Sequence, residues 1–324
     1  MVRPSVKLPD IQSLTAALSA IQRAKGSPHG RVDVLERRPN EYNSSFPTEK
    51  ITIRTDNGTV LRLFCKYGHG FTKSGHGHRG GVPYEALVYR HVLQPVEDMA
   101  ALFYGSYVDD ESGETWLVLL DLDKSVRVSK AEHSPGIGAA SRWLGHFHAM
   151  SGLLAVQGDV AFLNDYDAGY YRGWADRTLE YSARLHDRFP WLPILCRRFE
   201  EFASSLAMIQ KTIIHGEFTG RNVLVAGGSV YPVDWESAAV GFGEIDLACL
   251  TEGWPAELVR RCEHEYKMSR WPSGSCPGFE WRMAAAKLYL QFRWLGDRVD
   301  WTLHKNVAWR FNEMRSAAEQ LGLL

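Results

Sequence analysis

The order in which strand and helix patterns follow each other constrains the fold of this chain more than any other feature. In the first third, apolar and polar residues alternate over short segments, and Asn57-Gly58 separates two of them with the composition of a tight hairpin turn. Pro83 suits the first turn of a helix between the two pairs of strands. We therefore expect an antiparallel sheet with one inserted helix, the strands at residues 51–55, 60–66, 101–108 and 115–120 and the helix at residues 83–93.

Helical periodicity replaces the strand pattern after residues 121–123, with one short β segment at residues 213–234 as the interruption. Strands first and helices afterwards predict an α+β fold of two lobes, a small antiparallel-sheet N-lobe and a mainly helical C-lobe, with a cleft between them. The predicted divisions are an N-terminal helical extension at residues 1–30, the N-lobe at residues 31–123 and the C-lobe at residues 124–324.

The charge balance and the cysteine content limit what the protein binds and where it works. Lysine and arginine number 37 against 38 acidic residues, and this balance argues against nucleic acid or an anionic membrane as a partner. No run of 18 apolar residues is present, so no membrane span is expected. Five cysteines without close pairing are typical of reduced thiols, which predicts a cytoplasmic protein. Both a monomer and a homodimer are compatible with this composition.

A glycine hairpin in the β segment brings polar residues together. Gly227-Gly228 suits a two-residue turn between apolar strands, and counting back from it pairs Asn222 with Val233. Asp234 then lies beside Asn222, next to a loop that offers Glu217. Amide and carboxylate oxygens suit magnesium, which shares its remaining positions with phosphates, so a magnesium site is predicted here. The alternative is a plain surface hairpin whose polar ends face water.

The same segment carries a longer motif, His215-Gly-Glu217, four further residues, Asn222, the hairpin and Asp234. This string resembles the catalytic segment of the aminoglycoside phosphotransferase and choline kinase-like family, which has a protein-kinase-like fold, and the resemblance extends over roughly residues 30–320. It implies that Asn222 and Asp234 bind Mg²⁺ and that His215 supports the catalytic loop. The implied reaction is phosphate transfer from ATP to a hydroxyl of a small molecule, such as an antibiotic, a sugar or an amino alcohol, with GTP left open as the donor.

One residue departs from the family pattern, because Glu217 stands where the family has its catalytic aspartate. Its carboxylate keeps the ability to accept a hydroxyl proton or to orient the acceptor, since phosphoryl transfer depends mainly on positioning and charge neutralisation. We therefore favour an active enzyme with Glu217 as the catalytic group. The alternative is a catalytically weak or inactive nucleotide-binding protein with the kinase fold. The resemblance also implies that Asp246 braces the catalytic loop.

The resemblance further implies a nucleotide site in the first lobe. Lys66, at the end of a strand, is expected to touch the nucleotide phosphates, and Glu85, in the first turn of the next helix, to be its carboxylate partner. Each residue alone is also compatible with a strand-end lysine or with a glutamate that stabilises a helix N-terminus. The other expected nucleotide contacts are Ser44 and Ser45 in the loop that covers the phosphates, and Leu120 and Leu122 in the hinge beside the adenine.

A glycine- and histidine-rich segment, residues 68–81, allows several interpretations. Gly75-His-Gly77-His-Arg-Gly80 matches a dinucleotide-binding pattern, which would indicate a nicotinamide oxidoreductase. However, the preceding strand ends at Tyr67, too early for these glycines to form the strand-to-helix turn, and repeated βαβ units are missing. A flexible glycine loop is favoured over a metal site made from its histidines. Closure over the nucleotide and contact with the acceptor both stay open.

The helical lobe is expected to bind the acceptor. From Ser125 onward the chain has 23 acidic and 22 basic residues, so the average charge of this lobe gives no support to a polycationic aminoglycoside. Candidate acceptor contacts are Asp165, Asp167, Asp176, Glu252 and Asp297. Most aromatic residues here are expected to pack helices, and a few to form a wall against a cationic or ring-shaped acceptor. They are Tyr166, Tyr170, Tyr171, Trp174, Trp254, Trp271, Trp281, Trp294 and Trp301.

Overall fold

The computed structural model describes residues 8–27, 29–40, 45–71, 74–96, 103–130, 135–154, 160–274 and 276–324. The chain divides into two compact units. The N-terminal unit comprises Met1–Thr72, Arg79–Ser125 and Tyr231–Glu236, and the C-terminal unit comprises Lys73–His78, Val126–Val230 and Ser237–Leu324.

An antiparallel sheet of five strands forms the centre of the N-terminal unit. The strands are β1 (Val32–Pro39), β2 (Thr48–Thr55), β3 (Val60–Gly68), β4 (Phe103–Val108) and β5 (Thr115–Leu120), in the order β1-β2-β3-β5-β4. In the turn between β2 and β3, Gly58 has the positive φ of 83° that was expected of both turn residues, whereas Asn57 does not. Instead, Asn57 Oδ1 accepts a hydrogen bond from the Thr59 N–H at 3.0 Å and so closes the turn with its side chain.

Helix α1 (Ile11–Ala24) belongs to the core of the N-terminal unit. Asp10 caps its N-terminus by accepting hydrogen bonds from two backbone N–H groups. The apolar face of α1 joins a single buried cluster with residues of β1 to β5. Gly105 approaches this helix so closely that an added Cβ would lie 2.4 Å from Ile21 Cγ2. The helix that was predicted as an N-terminal extension therefore packs with the sheet through Leu14, Ala17, Leu18 and Ile21.

Helix α2 (Gly81–Val88) packs against β3 and β5 and continues into a π-helical turn at Tyr89–Leu93. The helix begins at Gly81 rather than at Pro83, so Glu85 lies in the second turn and not in the first. Gly81 has a φ of 75°, and an added Cβ would lie 2.5 Å from the His69 carbonyl oxygen, which explains why glycine occupies this position.

The C-terminal unit is mainly helical and has the larger apolar core. Its helices are α3 (Pro135–Leu154), α4 (Ala168–Tyr181), α5 (Leu192–Ala207), α6 (Glu244–Thr251), α7 (Ala256–Arg270), α8 (Phe279–Asp297), α9 (Val299–Thr302) and α10 (Ala308–Gln320). Helix α3 packs against α7, α4 packs against α5 and α8, and α8 also contacts α6 and α10. Helix α8 is therefore central to this unit, and most of its side chains are buried.

Two further sheets have three strands each. Strands β6 (Val126–Arg127), β9 (Val223–Ala226) and β10 (Ser229–Pro232) have the order β10-β9-β6, and strands β7 (Asn164–Asp165), β8 (Thr212–Ile214) and β11 (Ala239–Gly241) have the order β7-β11-β8. Gly227 and Gly228 have φ angles of 56° and 84°, which confirms the predicted hairpin turn between β9 and β10. Pro232 lies on β10, an edge strand of its sheet, which is where proline is tolerated in a sheet.

These elements confirm the predicted α+β fold, with an antiparallel sheet first and helices afterwards. The described strands of the first sheet are all antiparallel, so the dinucleotide-binding interpretation of the glycine-rich segment is wrong. Within the ranges that the structure describes, no helix combines the length and apolar character that crossing a bilayer requires.

Candidate active site

Lys66 lies in β3, and its buried ammonium group is surrounded by carboxylates. Its Nζ atom is 2.7 Å from Glu85 Oε2 and 2.6 Å from Asp234 Oδ1, and Glu236 Oε2 lies 3.9 Å away. Burial acts to lower the pKa of Lys66, but the surrounding carboxylates outweigh this effect and raise it. Lys66 is therefore a fixed cation. Its expected ion pair with Glu85 is present, and its role toward a nucleotide stays a prediction.

Glu85 links this ion pair to the segment that carries Asp234. Its Oε1 accepts a hydrogen bond from the Trp235 N–H at 3.2 Å, while Oε2 binds Lys66. Burial raises the pKa of Glu85, and the charge of Lys66 opposes that rise. The Trp235 ring is fully buried, and its Nε1 donates to the Pro232 carbonyl at 3.1 Å. The backbone on both sides of Asp234 is therefore held in place.

Asp234 itself has a left-handed backbone with a φ of 68°, which is uncommon for a residue other than glycine and occurs often at functional sites. Its side chain is 41% exposed. Burial raises the pKa of the neighbouring Glu236 to about 7, and the charge of Lys66 offsets this rise only in part. The Glu236 carbonyl accepts a hydrogen bond from the Gly80 N–H at 2.8 Å. Glu236 is the second acidic residue after the hairpin, and no role was predicted for it from the sequence.

The loop that follows β8 carries His215 and Glu217, and Asp246 holds it. The Asp246 carboxylate accepts hydrogen bonds from the His215 N–H at 2.6 Å and from the Gly216 N–H at 2.9 Å. Gly216 has a φ of 79°, and an added Cβ would lie 2.2 Å from the Ser237 carbonyl oxygen. His215 Nδ1 accepts a hydrogen bond from the Glu217 N–H at 3.2 Å. The predicted bracing of this loop by Asp246 is confirmed.

Asn222 lies just before β9 and is tied to the same loop. Its Nδ2 donates to the Glu217 carbonyl at 3.1 Å, and its backbone N–H donates to the Thr219 carbonyl at 2.9 Å. The amide orientation is fixed by the first of these bonds, because only the NH₂ group of the side chain is able to donate. The side-chain oxygen is the atom that this orientation offers to a cation.

The carboxylate of Glu217 lies beside Arg293 and His78, two residues to which the sequence assigned no role there. Arg293 Nη2, from α8, forms an ion pair with Glu217 Oε1, and His78 Nε2 lies 3.4 Å from the same oxygen. The Arg293 Nε also donates to His78 Nε2 at 2.9 Å. A signal for Arg293 exists in the sequence, because it is the only charged residue in residues 288–296. A lone charge in an apolar helix segment indicates a buried partner.

The remaining nucleotide contacts expected from the sequence are two serines and two leucines. Ser44 lies outside the described residues, and Ser45 is exposed. Leu120 ends β5 opposite Leu63 of β3, and the Leu122 carbonyl accepts a hydrogen bond from the Ser125 N–H at 3.4 Å. Their contacts with a nucleotide stay predictions.

Several acceptor candidates already have structural partners. Asp167 caps α4 by accepting from the Tyr170 N–H at 2.7 Å, and Glu252 Oε1 lies 3.0 Å from Arg310 Nη1. Asp165 forms an ion pair with Lys211. Tyr166, Tyr171 and Trp174 are fully buried and pack in the apolar core, as expected for most of the aromatic residues.

A magnesium ion and a nucleotide fit the side chains that are present. The Asn222 amide of the C-terminal unit presents an oxygen, and the Asp234 carboxylate of the N-terminal unit is half-exposed. Each oxygen, taken by itself, is of a type that Mg²⁺ prefers. No cluster of three or more His, Cys, Asp or Glu side chains suited to a metal occurs in the described part of the chain. Mg²⁺ needs few protein ligands, because it keeps several waters and also binds phosphates. The buried Lys66 cation suits the phosphates.

Comparisons with known proteins show a family and a set of similar folds. The model of the phosphotransferase enzyme family matches residues 104–274, more than half of the chain. No curated protein sequence matches the chain. Among solved structures, a choline kinase from Streptococcus pneumoniae has 13% identity and a TM-score of 0.56, covering 97% of this chain and 99% of that chain.

Two antibiotic phosphotransferases have similar structures. A spectinomycin phosphotransferase, solved with ADP and spectinomycin, has 10% identity and a TM-score of 0.60, covering 98% of this chain and 100% of that chain. A macrolide 2'-phosphotransferase from Brachybacterium faecium has 18% identity and a TM-score of 0.53, covering 94% of this chain and 98% of that chain. These likenesses confirm the predicted two-lobe, protein-kinase-like fold.

Proposed function

This chain belongs to the phosphotransferase enzyme family, and we propose that it transfers the terminal phosphoryl group of ATP to a hydroxyl of a small molecule in a Mg²⁺-dependent reaction. One observation carries the proposal: Lys66 contacts both Glu85 and Asp234, the latter 168 positions away in sequence. These are the side chains to which the family resemblance gives roles at the nucleotide phosphates and the metal. The structures of related kinases with ADP or AMP support ATP as the donor.

On this proposal, Lys66 binds phosphate oxygens of the nucleotide. The ammonium group is a compact cation that suits phosphate, and its ion pair with Glu85 fixes its position. Lys66 Nζ also lies 2.6 Å from Asp234 Oδ1. Nucleotide phosphates give Lys66 an alternative partner, which leaves the Asp234 carboxylate available to a metal ion.

Asn222 and Asp234 would hold Mg²⁺, which when bound neutralises negative charge on the phosphate oxygens. Glu217 accepts a hydrogen bond from the acceptor hydroxyl and so directs the hydroxyl oxygen toward the terminal phosphorus. The new bond joins this oxygen to phosphorus, the bond from phosphorus to the bridging oxygen breaks, and ADP leaves. The hydroxyl proton is released to solvent by way of Glu217. His215 holds the loop through its bond with the Glu217 N–H.

A second candidate is a nucleotide-binding protein that transfers phosphate weakly or not at all. The observation in its favour is the ion pair between Glu217 and the buried Arg293. A carboxylate that already neutralises a buried guanidinium is a weaker proton acceptor than a solvated one, because the cation stabilises its charged form.

Turnover separates the two candidates. Purified protein is incubated with Mg²⁺ and either ATP or GTP, and with choline, spectinomycin, a macrolide, other hydroxylated metabolites, or water alone. Mass spectrometry detects phosphorylated product, and a coupled assay detects ADP or GDP. Asp234→Ala is expected to lower kcat on the order of 10²-fold or more, because a metal ligand is lost. Asp33→Ala is the matched control, since Asp33 is an exposed aspartate in the same unit, paired with Arg31.

The outcomes differ between the candidates. Transfer that requires Asp234 and survives Asp33→Ala supports the kinase. Tight nucleotide binding without transfer to any acceptor or to water supports the second candidate instead. If Asp234→Ala kept full activity, the assignment of Asp234 as a metal ligand would be wrong.

A further inference from the structure

Residues 76–78 of the glycine- and histidine-rich segment belong to the C-terminal unit and contact its other residues. His76 Nε2 lies 2.9 Å from the Tyr170 carbonyl oxygen, and the two rings stack with centroids 5.3 Å apart. Asn164 Nδ2 donates to the Gly77 carbonyl at 2.9 Å. Gly173 leaves room for this contact, because an added Cβ would lie 2.1 Å from His76 Cε1. The flexible loop expected from the sequence is thus held against α4 at this end.

This anchoring brings His78 into a buried cluster. His78 Nδ1 lies 2.9 Å from the Tyr170 hydroxyl and 3.1 Å from the Tyr166 hydroxyl. Its Nε2 receives the hydrogen bond of Arg293 Nε at 2.9 Å. A guanidinium has only donors, so Nε2 is the acceptor and the ring proton is on Nδ1. His78 in this cluster is therefore a neutral imidazole whose Nδ1–H faces the tyrosine hydroxyls.

Arg293 joins this imidazole to the carboxylate of Glu217. Its Nε donates to His78 and its Nη2 contacts Glu217, while the two acceptor atoms lie 3.4 Å apart. The flat guanidinium fork presents Nε–H and Nη2–H side by side, which matches two adjacent acceptors. Arg293 is 1% exposed and lies on the central helix α8, so the fork has little freedom to move.

We propose that Arg293 and His78 are positioning residues that fix the Glu217 carboxylate for phosphoryl transfer, an inference that rests on the proposed function. Glutamate has one more rotatable bond than the aspartate of the family, and a free glutamate carboxylate would spread over several positions. The fork removes this freedom by holding Oε1. The glycine- and histidine-rich segment supplies His78, which accepts the neighbouring Nε–H of the same fork and so orients Arg293.

The test is a kinetic double-mutant cycle with Arg293→Met and Glu217→Gln, and with water, choline and spectinomycin as acceptors. Arg293→Met is expected to lower kcat on the order of 10²-fold, the cost of misplacing a reacting group by about 1 Å, while KM for ATP changes by less than about twofold. Arg293→Lys should recover only part of the rate, since an ammonium cannot reproduce the fork. In the Glu217→Gln background, Arg293→Met should cost little more, because both changes remove the same interaction.

Arg177→Met is the matched control. Arg177 also joins α4 to α8, donating from Nε to the Gly296 carbonyl at 2.7 Å, but it belongs to no contact described for Glu217. Its kcat should stay near that of the wild type. If Arg293→Met does not fold, His78→Leu serves instead, with an expected loss on the order of tenfold in kcat, because Arg293 keeps its charge but loses one acceptor.

Each result has one meaning. A wild type that transfers phosphate to no acceptor, water included, refutes the proposed function and the positioning role with it. If the wild type is active and Arg293→Met or its His78→Leu substitute keeps the wild-type kcat, only the positioning role is refuted. The same follows if the losses from Arg293→Met and Glu217→Gln multiply.

Discussion

Asp246 is fully buried in the first turn of α6, and we expect Asp246→Asn to destabilise the loop that carries Glu217. The two carboxylate oxygens accept the His215 N–H at 2.6 Å and the Gly216 N–H at 2.9 Å. An asparagine side chain has the same shape but only one acceptor oxygen. Whichever way the amide turns, one of the two N–H groups faces an NH₂ group instead of an oxygen.

The magnitude follows from these two hydrogen bonds. A hydrogen bond to a charged group contributes about 1.5–3 kcal/mol, and a buried donor left without an acceptor costs about 1–3 kcal/mol more. Removing the buried charge returns part of its desolvation cost. We therefore expect the free energy of unfolding of the C-terminal unit to fall by about 3 kcal/mol.

Urea unfolding measures this loss, and amide hydrogen exchange locates it. Exchange at the His215 or the Gly216 N–H should accelerate by on the order of 100-fold, the equivalent of about 3 kcal/mol. Asp165→Asn is the control, because Asp165 is an exposed residue paired with Lys211 and its loss should cost less than about 1 kcal/mol. An Asp246→Asn variant with unchanged stability and unchanged exchange at both amides would refute the bracing argument.

Two further predictions concern stability. Burial, opposed by Asp246, lowers the pKa of His148 below 6.5, so the folded protein holds this ring neutral. The contribution is present above pH 6.5 and is lost as the pH falls through 6.5, so urea unfolding from pH 7.5 to 5 should show a decline that His148→Gln makes shallower. In α1, Leu18→Ala should lower the free energy of unfolding by about 3 kcal/mol, since Leu18 is 1% exposed. Ile11→Ala should cost less than about 1 kcal/mol, because Ile11 is 48% exposed on the same helix; equal losses from the two would contradict the placement of α1 in the core.

The features that the sequence predicted are those that short stretches of chain determine. The turn at Gly227-Gly228 depends on two residues with positive φ. The hairpin that this turn closes separates Asn222 from Asp234 in the sequence. The pairing of Lys66 with Glu85 was implied by the family resemblance, and the structure has this ion pair. Local rules act over a few residues, so they describe such features well.

Features that depend on tertiary packing could not be predicted by such local rules. Helix α1 has the periodicity of any amphipathic helix, and periodicity does not say which surface covers its apolar face. The glycines of residues 68–81 indicate flexibility, but the contacts of His76 with α4 restrict this segment. Arg293 lies 76 positions after Glu217 in sequence, and only the packing of α8 in the core brings them together.

The pair of Arg293 and Glu217 is better explained by position than by stability. Two charges withdrawn from water lose several kcal/mol of hydration each, and apolar residues of similar volume often stabilise a protein as well or better. Stability alone therefore gives no reason for a guanidinium on the central helix α8. A fixed direction for one carboxylate oxygen does give a reason, because phosphoryl transfer depends on where the acceptor hydroxyl points more than on strong proton abstraction. On the proposed function, the contact that weakens Glu217 as a base would at the same time fix the direction in which it holds the acceptor hydroxyl.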